Sequence, residues 1–157
     1  MKKTDKAILL QKRIQRFIAC NSRMREATLK SEQAFLTQAG NISPAQLEIL
    51  LAVGEHTPCT MSHLAHVLHI SQANVTQMVD KLVYKKFLTR VKSNTDRRIV
   101  HLKLLAKGAK VSDLHREHVE RVAYQWFSVM TDKEQEAMLA AWERVLHVGF
   151  DERNKDT

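Results

Sequence analysis

The alternation of hydrophobic and polar positions predicts a mainly helical chain with one short β-hairpin. Between Lys6 and Gln38, apolar residues recur every three or four positions without glycine or proline, and Gly40 ends the run. The apolar positions of this predicted long helix are Leu10, Ile14, Phe17, Ile18, Met24 and Ala27. Because an amphipathic helix buries only one stripe, we expect this stripe to pack against another helix.

Capping residues mark the starts of the next three helices. The segment Ser43-Pro44-Ala45-Gln46 combines an N-cap serine, a proline at the first helical position and a glutamine that can reach back to the cap. It predicts a helix that runs to about Val53. Thr60 is the expected N-cap of a short helix that ends near His69, and Ser71 is the expected N-cap of the helix after it.

The helix after Ser71 has two chemically different faces. Its predicted inward face consists of Val75, Met78, Val79 and Leu82. Two short strands are predicted next, over Phe87–Val91 and Ile99–Leu104, with a polar hairpin tip between them. Two short helices followed by a hairpin predict a winged helix-turn-helix from Thr60 to Leu104.

Two further helices are predicted beyond Leu105. The first is about six turns long, and a capping box at Thr131-Asp132-Lys133-Glu134 starts the second. We therefore predict one domain over residues 1–157, with the winged helix-turn-helix within residues 43–104. Residues 6–39 and 106–150 are predicted to form dimerisation helices, because each carries an apolar stripe that a single copy leaves uncovered.

Charge is concentrated in the middle of the chain. The whole sequence has a net charge of +8, and residues 60–104 carry eight basic and only two acidic side chains. Clustered positive charge favours a polyanionic partner such as duplex DNA, and a membrane surface is the alternative. No apolar run has the length of a signal peptide or a membrane span, so we expect a cytoplasmic protein that is not anchored in a membrane.

The second helix of a helix-turn-helix fits the DNA major groove. Its outward face supplies the candidate DNA contacts Ser71, Gln72, Asn74, Thr76, Gln77 and Lys81. Amide side chains donate and accept hydrogen bonds together and so match the edge of adenine, which makes the Asn and Gln residues candidate base readers. The two hydroxyls are candidates for phosphate contacts. An ordinary solvated helix face is the alternative interpretation.

The predicted hairpin tip adds a second group of candidates. Arg97 and Arg98 suit a narrow and strongly negative minor groove, and Lys92 suits a contact with the DNA backbone. Asp96 is expected to orient an arginine, because a carboxylate that faced phosphate would be repelled.

The sequence resembles the MarR family of bacterial transcription regulators over nearly its whole length. The resemblance rests on residues 64–76, on Val79-Asp80-Lys81-Leu82, and on the wing Asp96-Arg97-Arg98 leading to Leu102-Lys103-Leu104. It implies a homodimer with intertwined terminal helices that binds a palindromic operator, often as a repressor that a small ligand releases. The chain departs from the family pattern at Gln77, at Lys86, where the family usually has glycine, and at Leu105, where threonine usually caps the fifth helix.

Other functions receive less support from the sequence. No nucleophile elbow or phosphate-binding glycine loop is present, so we expect no enzyme, and we predict no cofactor and no metal site. Two alternatives stay open. One is a zinc-responsive regulator that uses the pair His115 and His118, or a sensor that uses Cys20. The other is a winged-helix adaptor that binds protein instead of DNA.

Overall fold

We describe the fold from a computed structural model, in which residues 3–93, 96 and 98–151 are described, with side chains described for 6–93, 96 and 98–147. The elements are, in order, α1 (Lys3–Gln38), α2 (Pro44–Glu55), β1 (Cys59–Thr60), α3 (Met61–Val67), α4 (Gln72–Tyr84), β2 (Leu88–Lys92), β3 (Val100–Leu104), α5 (Ala106–Phe127) and α6 (Asp132–Asp151). The predicted fold class, mainly helical with a small β-wing, is confirmed.

The chain forms two compact units, residues 1–115 and residues 116–157. The core of the first unit lies where α2, α3, α4 and the sheet meet. Its largest fully buried side chains are Phe87, Ile49, Leu50, Leu64, Leu82, Leu88 and Leu102. The core is thus built largely from the segment predicted to be the winged helix-turn-helix. The domain boundaries given above stay a prediction.

The sheet contains one strand more than the sequence predicted. Its order is β1-β3-β2, and both pairings are antiparallel. In the additional strand, Cys59 pairs with Leu102 and Thr60 pairs with His101. A strand of two residues is too short to show an alternation of apolar and polar side chains, so the hydrophobic pattern could not reveal it.

The predicted helix starts are confirmed by side-chain hydrogen bonds. Ser43 and Gln46 form a reciprocal capping box, with N···O distances of 3.1 and 3.2 Å. The Thr60 hydroxyl accepts the His63 N–H at 3.2 Å. The Ser71 hydroxyl accepts the Asn74 N–H at 3.3 Å. Each bond satisfies a backbone donor that the first helical turn leaves without a partner.

The start of α5 differs from the usual pattern, as Leu105 led us to expect. Leu105 precedes the helix, and its carbonyl accepts the first main-chain bond, from Ala109 at 2.9 Å. A leucine side chain offers no cap, and the Leu105 N–H instead donates to the Phe87 carbonyl at 2.9 Å. The first turn of α5 is therefore held to the rest of the first unit by a main-chain hydrogen bond.

At the start of α6, in the second unit, one half of the predicted capping box is present: Glu134 reaches back to Thr131, whereas the Glu134 N–H donates to the Thr131 carbonyl instead of the hydroxyl. The Thr131 N–H and hydroxyl both donate to the Glu134 carboxylate, at 2.9 and 2.8 Å. These two bonds stabilise the ionised form and lower the pKa of Glu134 below its usual value, the backbone donor being the larger cause.

The exit of α4 shows how the chain ends a helix without the expected glycine. Lys86 has a φ of 61°, in the left-handed region. The Lys86 N–H donates to Val83 at 3.0 Å, and the Phe87 N–H donates to Leu82 at 2.9 Å. These two bonds are those of a Schellman motif, in which glycine normally occupies the left-handed position. Lysine adopts the same backbone here at an energetic cost.

Replacing Lys86 with glycine is expected to stabilise the protein. Relief of the left-handed strain outweighs the extra backbone entropy of glycine, for a net gain of about 0.5 to 1 kcal/mol. Lys85→Gly is the matched control, because Lys85 has a φ of −75° and its ammonium donates to the Asn41 carbonyl at 3.1 Å. Urea unfolding measures both variants. Equal destabilisation of the two would contradict the role assigned to Lys86.

Candidate nucleic-acid interface

α3 ends in a tight turn in which one residue adopts the left-handed backbone conformation. His69 has a φ of 52°, its N–H donates to His66 at 3.2 Å, and the Ile70 N–H donates to Ala65 at 3.1 Å. This pair of bonds reverses the chain within four residues. Leu64 on α3 and Val75 on α4 are completely buried, so the two helices pack through apolar side chains and leave their polar sides outward.

The described candidates on α4 all lie on its exposed side. These exposed residues are Gln72, Asn74, Thr76, Gln77 and Lys81, with Ser71 just before the helix. They form two rows at helical spacing, one through Asn74, Gln77 and Lys81 and the other through Gln72 and Thr76. Three amide side chains thus stand on the solvent-facing side of the second helix.

Some of the predicted contact groups already have partners within the chain. The Ser71 hydroxyl caps α4, and the Thr76 hydroxyl donates to the Gln72 carbonyl at 2.8 Å. Thr76 must therefore rotate away from this bond before it can donate to a phosphate. The Gln72 amide lies 3.5 Å from the Ser62 hydroxyl, at the limit of a hydrogen bond.

An ion pair that the sequence did not reveal links α4 to the wing. The guanidinium of Arg90 on β2 contacts the carboxylate of Asp80 on α4. Both side chains are partly exposed, so the pair adds little stability. It does neutralise the one acidic side chain on α4, which would otherwise repel phosphate. The two residues are ten positions apart, and only the folded chain brings them together.

The wing tip is held by short-range hydrogen bonds around Asp96. Its carboxylate accepts the Arg98 N–H at 2.9 Å, and its own N–H lies 3.4 Å from the Ser93 hydroxyl. Asp96 therefore orients the main chain at Arg98. Arg98 and Lys92 are exposed, whereas Arg97 lies outside the described residues.

The residues considered as sensors do not form a metal cluster in the described part of the chain. No group of three or more His, Cys, Asp and Glu residues comes together there. The His115 ring packs edge-on against Phe35, and His118 Nδ1 lies 3.0 Å from the Arg121 guanidinium. Cys20 is exposed on α1, whereas Cys59 is buried, and burial raises the pKa of its thiol. A raised pKa makes the Cys59 thiol a weak nucleophile.

Among the described residues, no helix is long and apolar enough to cross a membrane.

Comparison with known proteins assigns the fold. The model of the MarR family matches residues 42–100, which contain α2, α3, α4 and most of the wing. The winged helix-turn-helix segment of this chain is therefore similar to the MarR family. The resemblance seen in the motifs of α3, α4 and the wing is thereby confirmed.

Two similar proteins are named as transcriptional regulators of Bacillus subtilis. The chain is 28% identical over 102 residues to the HTH-type transcriptional regulator PchR of Bacillus subtilis, covering 63% of this chain and 60% of PchR. It is also 28% identical over 97 residues to the HTH-type transcriptional repressor MdtR of the same organism, covering 59% of this chain and 60% of MdtR. The chain thus spans about three fifths of the length of these relatives. Proteins named as transcriptional regulators are not enzymes, which agrees with the sequence prediction.

A solved structure supports the architecture. FabT of Streptococcus pneumoniae, in complex with DNA, superposes with a TM-score of 0.76 and 23% identity, covering 88% of this chain and 98% of FabT. At this level of identity the likeness establishes the fold. The chain therefore has a winged-helix fold, and its likeness to the solved structure extends beyond residues 42–100.

Proposed function

We propose that this protein is a cytoplasmic regulator of transcription of the MarR family that binds specific sequences of double-stranded DNA as a homodimer. The proposal includes repression from a palindromic operator and release by a small ligand. The observation that carries it is the polar, amide-rich side of α4, which is exposed and is followed in the chain by a basic wing. In support, PchR is named as an HTH-type transcriptional regulator and MdtR as an HTH-type transcriptional repressor, and FabT was solved in complex with DNA.

The side chains of α4 and of the wing differ in chemistry, and we assign them different roles in DNA binding. The amides of Gln72, Asn74 and Gln77 can pair with base edges in the major groove and so give sequence preference. The cations Lys81, Lys92 and Arg98 contribute mainly affinity, because each phosphate that they neutralise releases counterions. Arg97, which the sequence places beside Arg98, has the same proposed role.

The dimer is supported by apolar surface that a single copy leaves open. Ile14, Phe17 and Ile18 on α1 are each about half exposed or more, and so are Trp142 and Val145 on α6. Exposed apolar stripes on two long helices are typical of an interface. The net charges of α1 and α6 are opposite in sign, which also favours their packing together. α1 carries eight basic and three acidic side chains, whereas α6 carries two basic and five acidic ones. We therefore propose that the terminal helices of two copies pack together. Two-fold symmetry would place the recognition helices about one DNA turn, about 34 Å, apart.

A cavity beside the wing is a candidate place for the small ligand. It has a volume of about 340 Å³, and its lining includes Pro58, Val91, His101, Lys92 and Lys103. Its charged lining residues are both lysines, so the cavity favours a small anion with an apolar body. Because Lys92 is also a proposed DNA contact, such an anion would compete with phosphate for the same charge.

Binding to duplex DNA over a series of salt concentrations tests the proposal. Fragments selected from the host genome should contain an inverted repeat that the protein prefers to a scrambled duplex, with affinity that falls steeply as salt rises. Adding a small aromatic carboxylate to the same measurement tests release. A protein-binding adaptor would show neither salt-dependent DNA binding nor a preferred repeat, and that result would refute the proposal.

Arg98→Ala is expected to weaken binding to the selected repeat by about 1 to 3 kcal/mol, because the wing loses a cation that faces the groove. Fluorescence anisotropy with a labelled duplex measures the loss. Arg116→Ala is a suitable control, since Arg116 is an exposed arginine on α5, outside the winged helix-turn-helix. An unchanged affinity for Arg98→Ala would remove Arg98 from the interface.

A further inference from the structure

Tyr84 is the most exposed large apolar residue in the described part of the chain. Its side chain is 89% exposed, at the last position of α4. Two other strongly exposed aromatic residues, Phe17 and Trp142, lie on α1 and α6, where a dimer would cover them. Tyr84 instead stands on the helix that is proposed to read DNA. Burial in the fold of the described chain therefore does not account for an aromatic residue at this position.

The position of Tyr84 on α4 puts it in line with the base-reading residues. Tyr84 follows Gln77 by seven residues and Lys81 by three, so all three side chains leave the same side of the helix. At about 1.5 Å per residue, Tyr84 lies about 10 Å beyond Gln77 along the axis. The major groove is about 12 Å wide, and the N-terminal part of a recognition helix contacts the bases. The C-terminal end of α4 therefore reaches the edge of the groove, where the phosphates lie.

The charges around Tyr84 also suit a phosphate. The segment from Lys81 to Lys86 contains three lysines and no acidic residue. These cations offset the partial negative charge at the C-terminal end of a helix. Lys85 is committed to the fold, since its ammonium donates to the Asn41 carbonyl at 3.1 Å. Asp80, one turn before Tyr84, is paired with Arg90. The exposed Tyr84 hydroxyl is thus a hydrogen-bond donor in a locally positive surface.

We infer that Tyr84 is a DNA-contacting residue that donates its hydroxyl to a backbone phosphate at the edge of the major groove, with Lys81 as the cation beside it. This inference rests on the proposed function of DNA binding and adds a contact that the sequence did not reveal. A phosphate contact fixes the position of the helix on the duplex and carries no base preference. Tyr84 therefore contributes affinity and register, while the amides of α4 select the sequence.

Three variants of the full-length protein test the inference by anisotropy on the selected repeat and on a scrambled duplex. Tyr84→Phe should weaken binding to both duplexes about five- to tenfold, because one hydrogen bond to a charged oxygen is lost. The salt dependence should stay that of the wild type, since a neutral hydroxyl releases no counterion. Lys81→Ala should reduce the slope of log affinity against log salt by about 0.9. Tyr124→Phe, which removes a hydroxyl that is 74% exposed on α5, should bind as the wild type does.

The outcomes separate this inference from the proposed function. Wild-type affinity for Tyr84→Phe, measured with a wild-type protein that binds DNA, would overturn the inference alone. A loss confined to the selected repeat would also overturn it, because that pattern indicates base reading. A wild-type protein that binds no duplex would overturn the proposed function as well. Because the Tyr84 side chain is so exposed, urea unfolding of Tyr84→Phe should match that of the wild type, and this match excludes misfolding as the cause of weaker binding.

Discussion

Gly108→Ala is expected to destabilise the protein by about 3 kcal/mol, the largest loss of stability that a single methyl group would cause here. A Cβ atom at Gly108 would lie 2.3 Å from the Phe87 carbonyl oxygen and 3.2 Å from the carbonyl carbon of the same residue. These are main-chain atoms, so no side-chain rotation relieves the contact. The clash outweighs the gain of about 1 kcal/mol that alanine normally brings to a helix.

Gly54→Ala provides the matched control for this substitution. Gly54 lies near the end of α2, and its added Cβ would meet only side chains, with Leu104 Cδ1 nearest at 3.3 Å. A small shift of that leucine accommodates the methyl group, so the change in stability should stay within about 1 kcal/mol. Thermal and urea unfolding measure both variants. Equal stabilities would show that α5 does not approach Phe87 as closely as described.

Ile14→Glu is expected to abolish dimerisation and to weaken binding to a two-site operator by about 100-fold or more. Ile14 lies on the apolar stripe of α1 and is 48% exposed in a single copy. A dimer would bury the new carboxylate in an apolar contact without a partner, at a high energetic cost. Loss of the dimer separates the two recognition helices, and each half-site must then bind on its own.

Ala19→Glu is the control for Ile14→Glu, because it makes the same change in charge on another side of the same helix. Ala19 is exposed and lies about 140° around the helix from Ile14. Sedimentation velocity gives the oligomeric state, and anisotropy gives the DNA affinity. A dimer that persists in Ile14→Glu would contradict the interface proposed for α1.

The regular elements could be predicted because their signals are local. The apolar spacing of α4 and the cap residues Ser43, Thr60 and Ser71 each act within a few positions, and each was confirmed. The departure from glycine at Lys86 was visible in the sequence, whereas the left-handed backbone of this lysine was seen only in the structure. The MarR resemblance depended on the same continuous segment of α3, α4 and the wing.

What could not be predicted depends on groups that are distant in the sequence. The strand at Cys59 forms only because β3 provides a pairing edge more than 40 residues later. The pairing of Asp80 with Arg90 needs the geometry between α4 and β2. Asp96 was expected to orient an arginine, but the sequence left open that its carboxylate would accept the main-chain N–H of Arg98. Tyr84 was not among the predicted DNA contacts, because an isolated aromatic residue at the end of a helix forms no recognisable sequence pattern.

Phe87 links the last turn of α4 to the first turn of α5 through both of its main-chain polar groups. Its N–H closes α4 on Leu82, and its carbonyl accepts the N–H of Leu105. Gly108 packs so closely against that carbonyl that a Cβ atom would not fit between them. The end of α4 and the beginning of α5 are therefore connected through Phe87. A displacement of the beginning of α5 would also displace the end of α4. An event that moves the beginning of α5 would thus tilt the helix that is proposed to read DNA, even from a site that never touches the duplex.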